Sequence, residues 1–165
     1  MILNISILFF LIIGKLVSSF MNLSPFIATL IFATYFIKDK YHLLIMVFIA
    51  QGLSDIIYGA YLSNLSVYCA YFIIILYIYS LKNSYNFLHA ILMAVYANTI
   101  FFIISNIGHV IAFNKTLSFK TLLNNYNESI PFTLNLFLST IFFITLFHTL
   151  LTIYKRWLAK GLREI

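Results

Sequence analysis

Apolar residues fall into six long segments that polar or charged stretches separate. They cover residues 2–20, 25–37, 41–60, 65–81, 87–113 and 131–154. Since a helix needs about 20 apolar residues to cross roughly 30 Å of hydrocarbon, the pattern predicts an all-α membrane protein with a bundle of six transmembrane helices. The second segment reaches only ~20 Å, so we expect its neighbours to shield it or its ends to extend.

The composition supports the same class of protein. The chain is 63% hydrophobic and 8% charged, with a mean hydropathy of +1.02, whereas soluble domains are roughly a quarter charged. We therefore predict a single integral membrane domain over residues 1–165. The first segment has no basic start and no small-x-small cleavage site, and Lys15 interrupts its end, so we interpret it as a retained helix.

The charged residues predict an orientation. With six spans, the N-terminus, loops 38–40 and 82–86 and the basic tail 155–165 share one side. That side carries Lys38, Lys40, Lys82, Lys155, Arg156, Lys160 and Arg163, and the other carries Lys115 and Lys120. By the positive-inside rule both termini are cytoplasmic, and the codon bias suggested by the composition favours a bacterial inner membrane. The basic residues form no soluble basic face, so we expect the lipid bilayer as a partner and no nucleic acid.

One long connection, residues 114–130, separates the last two spans on the outer side. Its stretch TLSFKTLLNNY alternates loosely at helical spacing, which predicts a short helix on the outer surface. Two interpretations stay open: a lid over a site, or an ordinary connector. Glu128 lies at the end of this connection.

Polar residues from several spans fall at one depth, in the outer half of the bundle. Asp55 in AQGLSDIIYGAY is costly within a membrane, at about 2.5–3.5 kcal/mol for a mid-helix carboxylate. Such residues normally face a bundle interior or a wet cavity. We predict a cavity open to the outside, and the candidate substrate-binding residues are Lys15, Asn22, Asp55, Asn106, His109 and Asn135.

These residues also have structural interpretations. Lys15 and Asp55 can simply neutralise each other and fix the helix register, and the asparagines can form hydrogen bonds between helices. Glycine and proline positions are assigned to packing and helix starts. They are Pro25, Gly52, Gly59, Gly108 and Pro131.

Known chemical motifs are missing from the sequence. It contains no nucleotide-binding loop, no H-E-x-x-H, no G-x-S-x-G and no facing pair of catalytic aspartates. The single cysteine, Cys69, excludes a disulfide within the chain and a multi-cysteine metal site. We predict no enzyme, no cofactor and no metal.

Four motifs carry a family resemblance. NLSPFIATLIFATYF (22–36), LSDIIYGAY (53–61), FFIISNIG (101–108) and YNESIPFTLN (126–135) resemble a family of uncharacterised small bacterial membrane proteins. That family is distantly similar to the substrate-binding S components of energy-coupling factor (ECF) transporters. The matching positions are Asn22, Pro25, Asp55, Asn106, Gly108, Pro131 and Asn135. The chain departs from the family at His109-Val110, where an aromatic residue is usual, and at Thr140, where an aspartate is usual.

The resemblance implies a six-helix protein that captures a vitamin or related micronutrient from the outer face. It also implies two kinds of partner, a transmembrane coupling protein and ABC-type ATPases, since this chain has no nucleotide site of its own. The alternative is a small membrane protein that serves as an assembly or interaction partner. In that alternative, the polar side chains of the cluster form their hydrogen bonds with one another and enclose no cavity.

Overall fold

Helices make up the regular structure throughout the described part of the chain. The computed structural model describes residues 2–17, 24–81, 85–113 and 118–161. Its helices are α1 Ile2–Val17, α2 Phe26–Phe36, α3 Lys40–Tyr58, α4 Asn64–Leu81, α5 Phe87–Ala112 and α6 Phe119–Gly161. The all-α prediction is confirmed for these residues. We call the end of the bundle at which α3 ends and α4 begins the upper end, and the opposite end the lower end.

Helix α2 lies at the centre of the bundle and contacts all five other described helices. The others form a ring in which α1 contacts α3, α3 contacts α4, α4 contacts α5 and α5 contacts α6. Phe10 and Phe147 join α1 to α6, with ring centroids 6.0 Å apart. Side chains of α2 are therefore buried on every face, including Leu30, Ile31 and Thr34. The short second segment is shielded by its neighbours, one of the two expected solutions.

Four helices have the length and composition of membrane spans. They are α3, α4, α5 and the part of α6 from Phe119 to Trp157, while α1 and α2 are shorter apolar helices. Large apolar side chains cover the outside of the bundle, among them Ile56, Leu88 and Phe142. Because such a surface suits hydrocarbon and not water, this is the architecture of a membrane protein.

Helix α6 differs from the prediction. It is one helix of 43 residues that passes through Pro131, so the predicted separate surface helix and the sixth span are parts of a single element. Tyr126 donates a hydrogen bond to the Ile103 carbonyl at 3.0 Å. This contact holds the first turns of α6 along α5. A proline removes one backbone N–H and crowds one carbonyl, which here does not end the helix.

Local interactions set the other helix boundaries. Asp39 accepts a hydrogen bond from the Tyr41 amide and starts α3, and Asn86 accepts one from the Leu88 amide and starts α5; both are N-cap interactions. Gly59 ends α3 with φ of 101°, a conformation that favours glycine. Helix α4 follows within a few residues, so Asp55 and Asn64 come close together.

Candidate upper-end cavity

A cavity of about 410 Å³ opens at the upper end between α4, α5 and α6. Nine of its lining residues are polar: Ser63, Ser66, Ser105, Asn106, His109, Asn125, Glu128, Ser129 and Thr133. Its apolar wall consists of Val67, Phe101, Phe132 and Leu136. Cavities with apolar walls and a few placed polar groups are typical of small-molecule sites, so we refer to this as the upper-end cavity.

Asn106 connects α5 to α6 at the cavity wall. Its Oδ1 accepts hydrogen bonds from Asn125 Nδ2 at 2.8 Å and from Ser129 Oγ at 2.7 Å. Its own Nδ2 donates to the Phe102 carbonyl at 2.8 Å. Asn106 and Asn125 are both 7% exposed. The network therefore satisfies buried amides that would otherwise be costly, and it fixes one wall of the cavity.

Asp55 belongs to a different cluster, between α3 and α4. Its carboxylate accepts hydrogen bonds from Gln51 Nε2 at 2.6 Å, Asn64 Nδ2 at 2.9 Å and Tyr68 OH at 2.8 Å. Donors from α3 and α4 therefore converge on one carboxylate. These hydrogen bonds offset the free-energy cost of placing a carboxylate in an apolar segment, because a charge removed from water needs polar partners.

Lys15 lies close to this cluster and to two aromatic rings. Its Nζ is 4.8 Å from the ring centroid of Phe26 and 4.7 Å from that of Tyr71, which is within the range of a cation–π interaction. The Asp55 carboxylate also interacts electrostatically with the Lys15 ammonium. Tyr71 in turn stacks on Phe101, with centroids 5.5 Å apart. Tyr71 thus connects Lys15 to Phe101 in the cavity wall.

The structure brings together some of the predicted site residues and separates others. Asn106 and His109 line the upper-end cavity, whereas Lys15 and Asp55 belong to the neighbouring cluster on the other side of α4. Asn135 is exposed and does not line the cavity. Asn22 lies outside the described residues.

Several cavity residues were not among the predicted site residues, and three of the polar ones form a regular series on α6. Asn125, Ser129 and Thr133 follow one another at intervals of four residues, which places them on one face of a helix. The sequence contains this signal. The change from polar to apolar residues at position 131 obscures this helical spacing, because it makes residues 114–130 resemble a connection and the following residues a separate span.

Close packing surrounds the site at the upper end. A Cβ on Gly108 would lie 2.0 Å from Ser66 Cβ, whereas one on Gly52 would meet only Tyr68 OH at 3.6 Å. Pro25 directly precedes α2 at its N-cap, and Pro131 lies inside α6.

Ser24, next to Pro25, is held at the start of α2 by three hydrogen bonds. Its hydroxyl donates to the Gly14 carbonyl at 2.6 Å and accepts from the Phe26 amide at 3.1 Å. Its carbonyl accepts from Ser139 Oγ at 3.0 Å. These contacts tie α1, α2 and α6 together beneath the cavity.

Comparisons with known proteins give a family and no activity. Residues 1–160 match the "Family of unknown function (DUF6580)". No curated protein and no solved structure matches the chain. Among the described residues, no group of three or more His, Cys, Asp and Glu side chains is arranged to hold a metal ion.

Proposed function

The chain belongs to the family of unknown function DUF6580, and we propose that it is a solute-binding membrane subunit, similar to an S component. In this proposal it captures a vitamin- or micronutrient-sized molecule from the outer face for uptake. The observation that carries the proposal is the upper-end cavity with its mixed polar and aromatic lining.

The dimensions and surroundings of the cavity support capture of a solute. Its volume of about 410 Å³ lies within the ~300–1,000 Å³ of typical ligand sites. Beneath the upper end, the buried helix α2 fills the centre of the bundle, with Leu30 and Ile31 fully enclosed. A recess above a filled centre suits a binding protein better than an open pore.

Charge supports the proposed orientation and the proposed partners. Lys38, Lys40, Lys155 and Arg156 lie at the lower end. By the positive-inside rule, this distribution supports a cytoplasmic lower end and a cavity that faces outside. Because the sequence has no nucleotide-binding loop, uptake needs a separate transmembrane coupling protein and ABC-type ATPases. The proposed location is the inner membrane of a bacterium, with six spans.

The test is to find the solute and show that it occupies this cavity. The full chain would be purified in lipid nanodiscs, and small molecules extracted from it would be identified by mass spectrometry. Asn106→Ala removes the acceptor for Asn125 and Ser129, so we expect the bound molecule to be lost.

Asn98→Ala is the matched control. Asn98 is also a buried asparagine of α5 whose Nδ2 donates to the carbonyl four residues earlier, yet it does not line the cavity. This variant should retain the molecule. Empty extracts from the wild-type chain, or equal retention by both variants, would contradict the proposal.

A second candidate, an assembly or interaction partner, is favoured by one observation. The Asp55 carboxylate has three hydrogen-bond donors within the chain, as expected if that cluster only stabilises the fold. This function predicts that a protein and not a small molecule co-purifies, and that Asn106→Ala leaves the complex intact.

A further inference from the structure

Three of the hydroxyl groups that line the cavity, those of Ser66, Ser129 and Thr133, donate their protons to oxygen atoms of the chain. Ser66 Oγ donates to the Ser63 carbonyl at 2.6 Å, and Thr133 Oγ1 donates to the Ser129 carbonyl at 2.9 Å. Ser129 Oγ lies within 3.0 Å of the Asn106 Oδ1 and of two carbonyls of its own helix. A hydroxyl has one proton and two lone pairs, so these groups offer mainly acceptor positions to a ligand.

Of the two amides of the cavity wall, Asn125 has the same bias, whereas both lone pairs of the Asn106 Oδ1 are already in use. The Asn106 amide nitrogen must face the Phe102 carbonyl, because a carbonyl only accepts. Asn125 must likewise direct its nitrogen towards the carbonyl and the Oδ1 of Asn106, at 3.3 and 2.8 Å. The donors of Asn125 are thereby used, and its Oδ1 is left to accept.

The charges around the cavity also favour a positive ligand. Glu128 contributes a carboxylate to the lining, and the described lining residues include neither lysine nor arginine. Phe101 and Phe132 offer ring faces, which attract cations. The basic side chains to consider at this end are Lys15, which lies over Tyr71 behind Phe101 and beside Asp55, His109 in the lining, and Lys120 in the first turn of α6.

We infer that the upper-end cavity selects an organic cation that is rich in hydrogen-bond donors, such as an ammonium group attached to a flat ring. The ammonium meets Glu128 and the lone pairs of Ser66, Ser129 and Thr133, while the ring packs on Phe101. This inference rests on the proposed function and adds the class of solute. An anion would meet a carboxylate and acceptor atoms, which repel it.

Three probes with the same ring and different charge test the inference. Tryptamine is a cation at neutral pH, tryptophol is neutral and indole-3-acetate is an anion. Binding of each to the full chain in nanodiscs would be measured by isothermal titration calorimetry, with empty nanodiscs subtracted. We expect tryptamine to bind most tightly and indole-3-acetate least.

Neutralising the carboxylate provides the matched comparison. Glu128→Gln should weaken tryptamine binding about fivefold, as expected for a partly exposed charge pair, and leave tryptophol unchanged. Asp39→Asn removes a carboxylate at the lower end, and the amide oxygen of the new asparagine can still cap α3. This variant should bind tryptamine and tryptophol like the wild type. Thermal unfolding of both variants would show that they are folded.

The outcomes separate the two proposals. Equal binding of all three probes, tighter binding of the anion, or a Glu128→Gln variant that binds tryptamine like the wild type would overturn the cation inference. Each of these results leaves capture of a solute standing. If none of the probes binds, the cation inference fails. The proposed function fails with it only if extracts of the purified chain are empty as well.

Discussion

At the scale of single residues, the tightest constraint lies where α4 and α5 cross. The Gly108 Cα approaches Ser66 so closely that an added Cβ would lie 2.0 Å from Ser66 Cβ and 2.1 Å from its Oγ. We expect Gly108→Ala to force the helices apart and destabilise the protein by about 1–3 kcal/mol or more. Unfolding of the purified protein in detergent by heat or denaturant would measure this.

Two comparisons make the Gly108 prediction specific. Gly52→Ala adds a methyl group that makes only ordinary contact at 3.6 Å. Since alanine favours helix over glycine by roughly 0.5–1 kcal/mol, it should be neutral or stabilising. Ser66→Gly should rescue Gly108→Ala, because it removes the atoms that clash. A Gly108→Ala variant as stable as the wild type would show that the helices are not this close.

The Asp55 cluster makes a second prediction at this scale. Asp55→Asn removes the charge that strengthens all three hydrogen bonds and replaces one of the two acceptor oxygens with a donor, so we expect a loss of about 1–3 kcal/mol. Tyr68→Phe removes a single donor and should cost roughly 1 kcal/mol. Denaturant unfolding of the same detergent-solubilised protein would give these free energies.

Lys15 should be coupled to Asp55 through their charges. A double-mutant cycle of Lys15→Met and Asp55→Asn measures the coupling free energy, which we expect to lie at about 0.5–3 kcal/mol for interacting neighbours. The double variant should therefore be more stable than the sum of the two single losses. Strict additivity would contradict the electrostatic interaction between the two side chains.

At the scale of elements, α6 is the feature that the hydrophobic pattern describes least well. The pattern predicts a span from residue 131, because the polar residues before it resemble a connection and proline commonly opens a helix. The structure has one helix from Phe119 to Gly161. Contacts with α5, which involve Asn125, Tyr126 and Ser129, stabilise the polar part, and a window of sequence contains no information about such contacts.

The continuity of α6 can be measured as a distance. With Cys69 replaced by Ser, spin labels on exposed Leu123 and Leu150 should lie about 40 Å apart, since a helix rises 1.5 Å per residue. A helix that lay across the surface up to residue 131 would shorten this distance to roughly 31 Å by the same rise. Double electron–electron resonance distinguishes the two values.

A label pair within the lower part of α6 is the control. Leu134 and Leu150 are both exposed and lie after Pro131, so their separation of about 24 Å is the same in either arrangement. A short Leu123–Leu150 distance beside a normal Leu134–Leu150 distance would locate a break near Pro131 and contradict the single helix.

At the scale of the whole molecule, the sequence predicts the end of the bundle at which a polar residue lies. It does not predict towards which neighbouring helix the side chain points. Counting along the spans predicts that Asp55 and Asn106 lie near the same end of the bundle, and both lie near its upper end. Direction depends on which neighbours each helix meets. Tyr68 and Asn64 of α4 face α3, whereas Ser66 and Val67 face the cavity, so α4 separates two polar clusters that the sequence predicted as one.

The orientation of the bundle decides what the upper-end cavity can do. Exposed basic residues at the lower end, Lys38, Lys155 and Arg156, together with Lys40, predict that this end stays in the cytoplasm. A fluorescent protein fused to the C-terminus should fluoresce, and alkaline phosphatase at the same position should be inactive. Replacing all four residues with Gln should yield a mixed population, whereas Lys120→Gln at the upper end should not.

The result of this experiment bears directly on capture of a solute. A cavity whose mouth faces outward meets nutrients before they enter the cell, so its affinity can drive uptake once coupling partners are present. An active phosphatase fusion on the wild-type chain would show that the lower end lies outside the cell and that the mouth of the cavity faces the cytoplasm. Asn106 and Glu128 would then face the interior of the cell, and collection of external solutes through this cavity would be ruled out even if the chain still bound one.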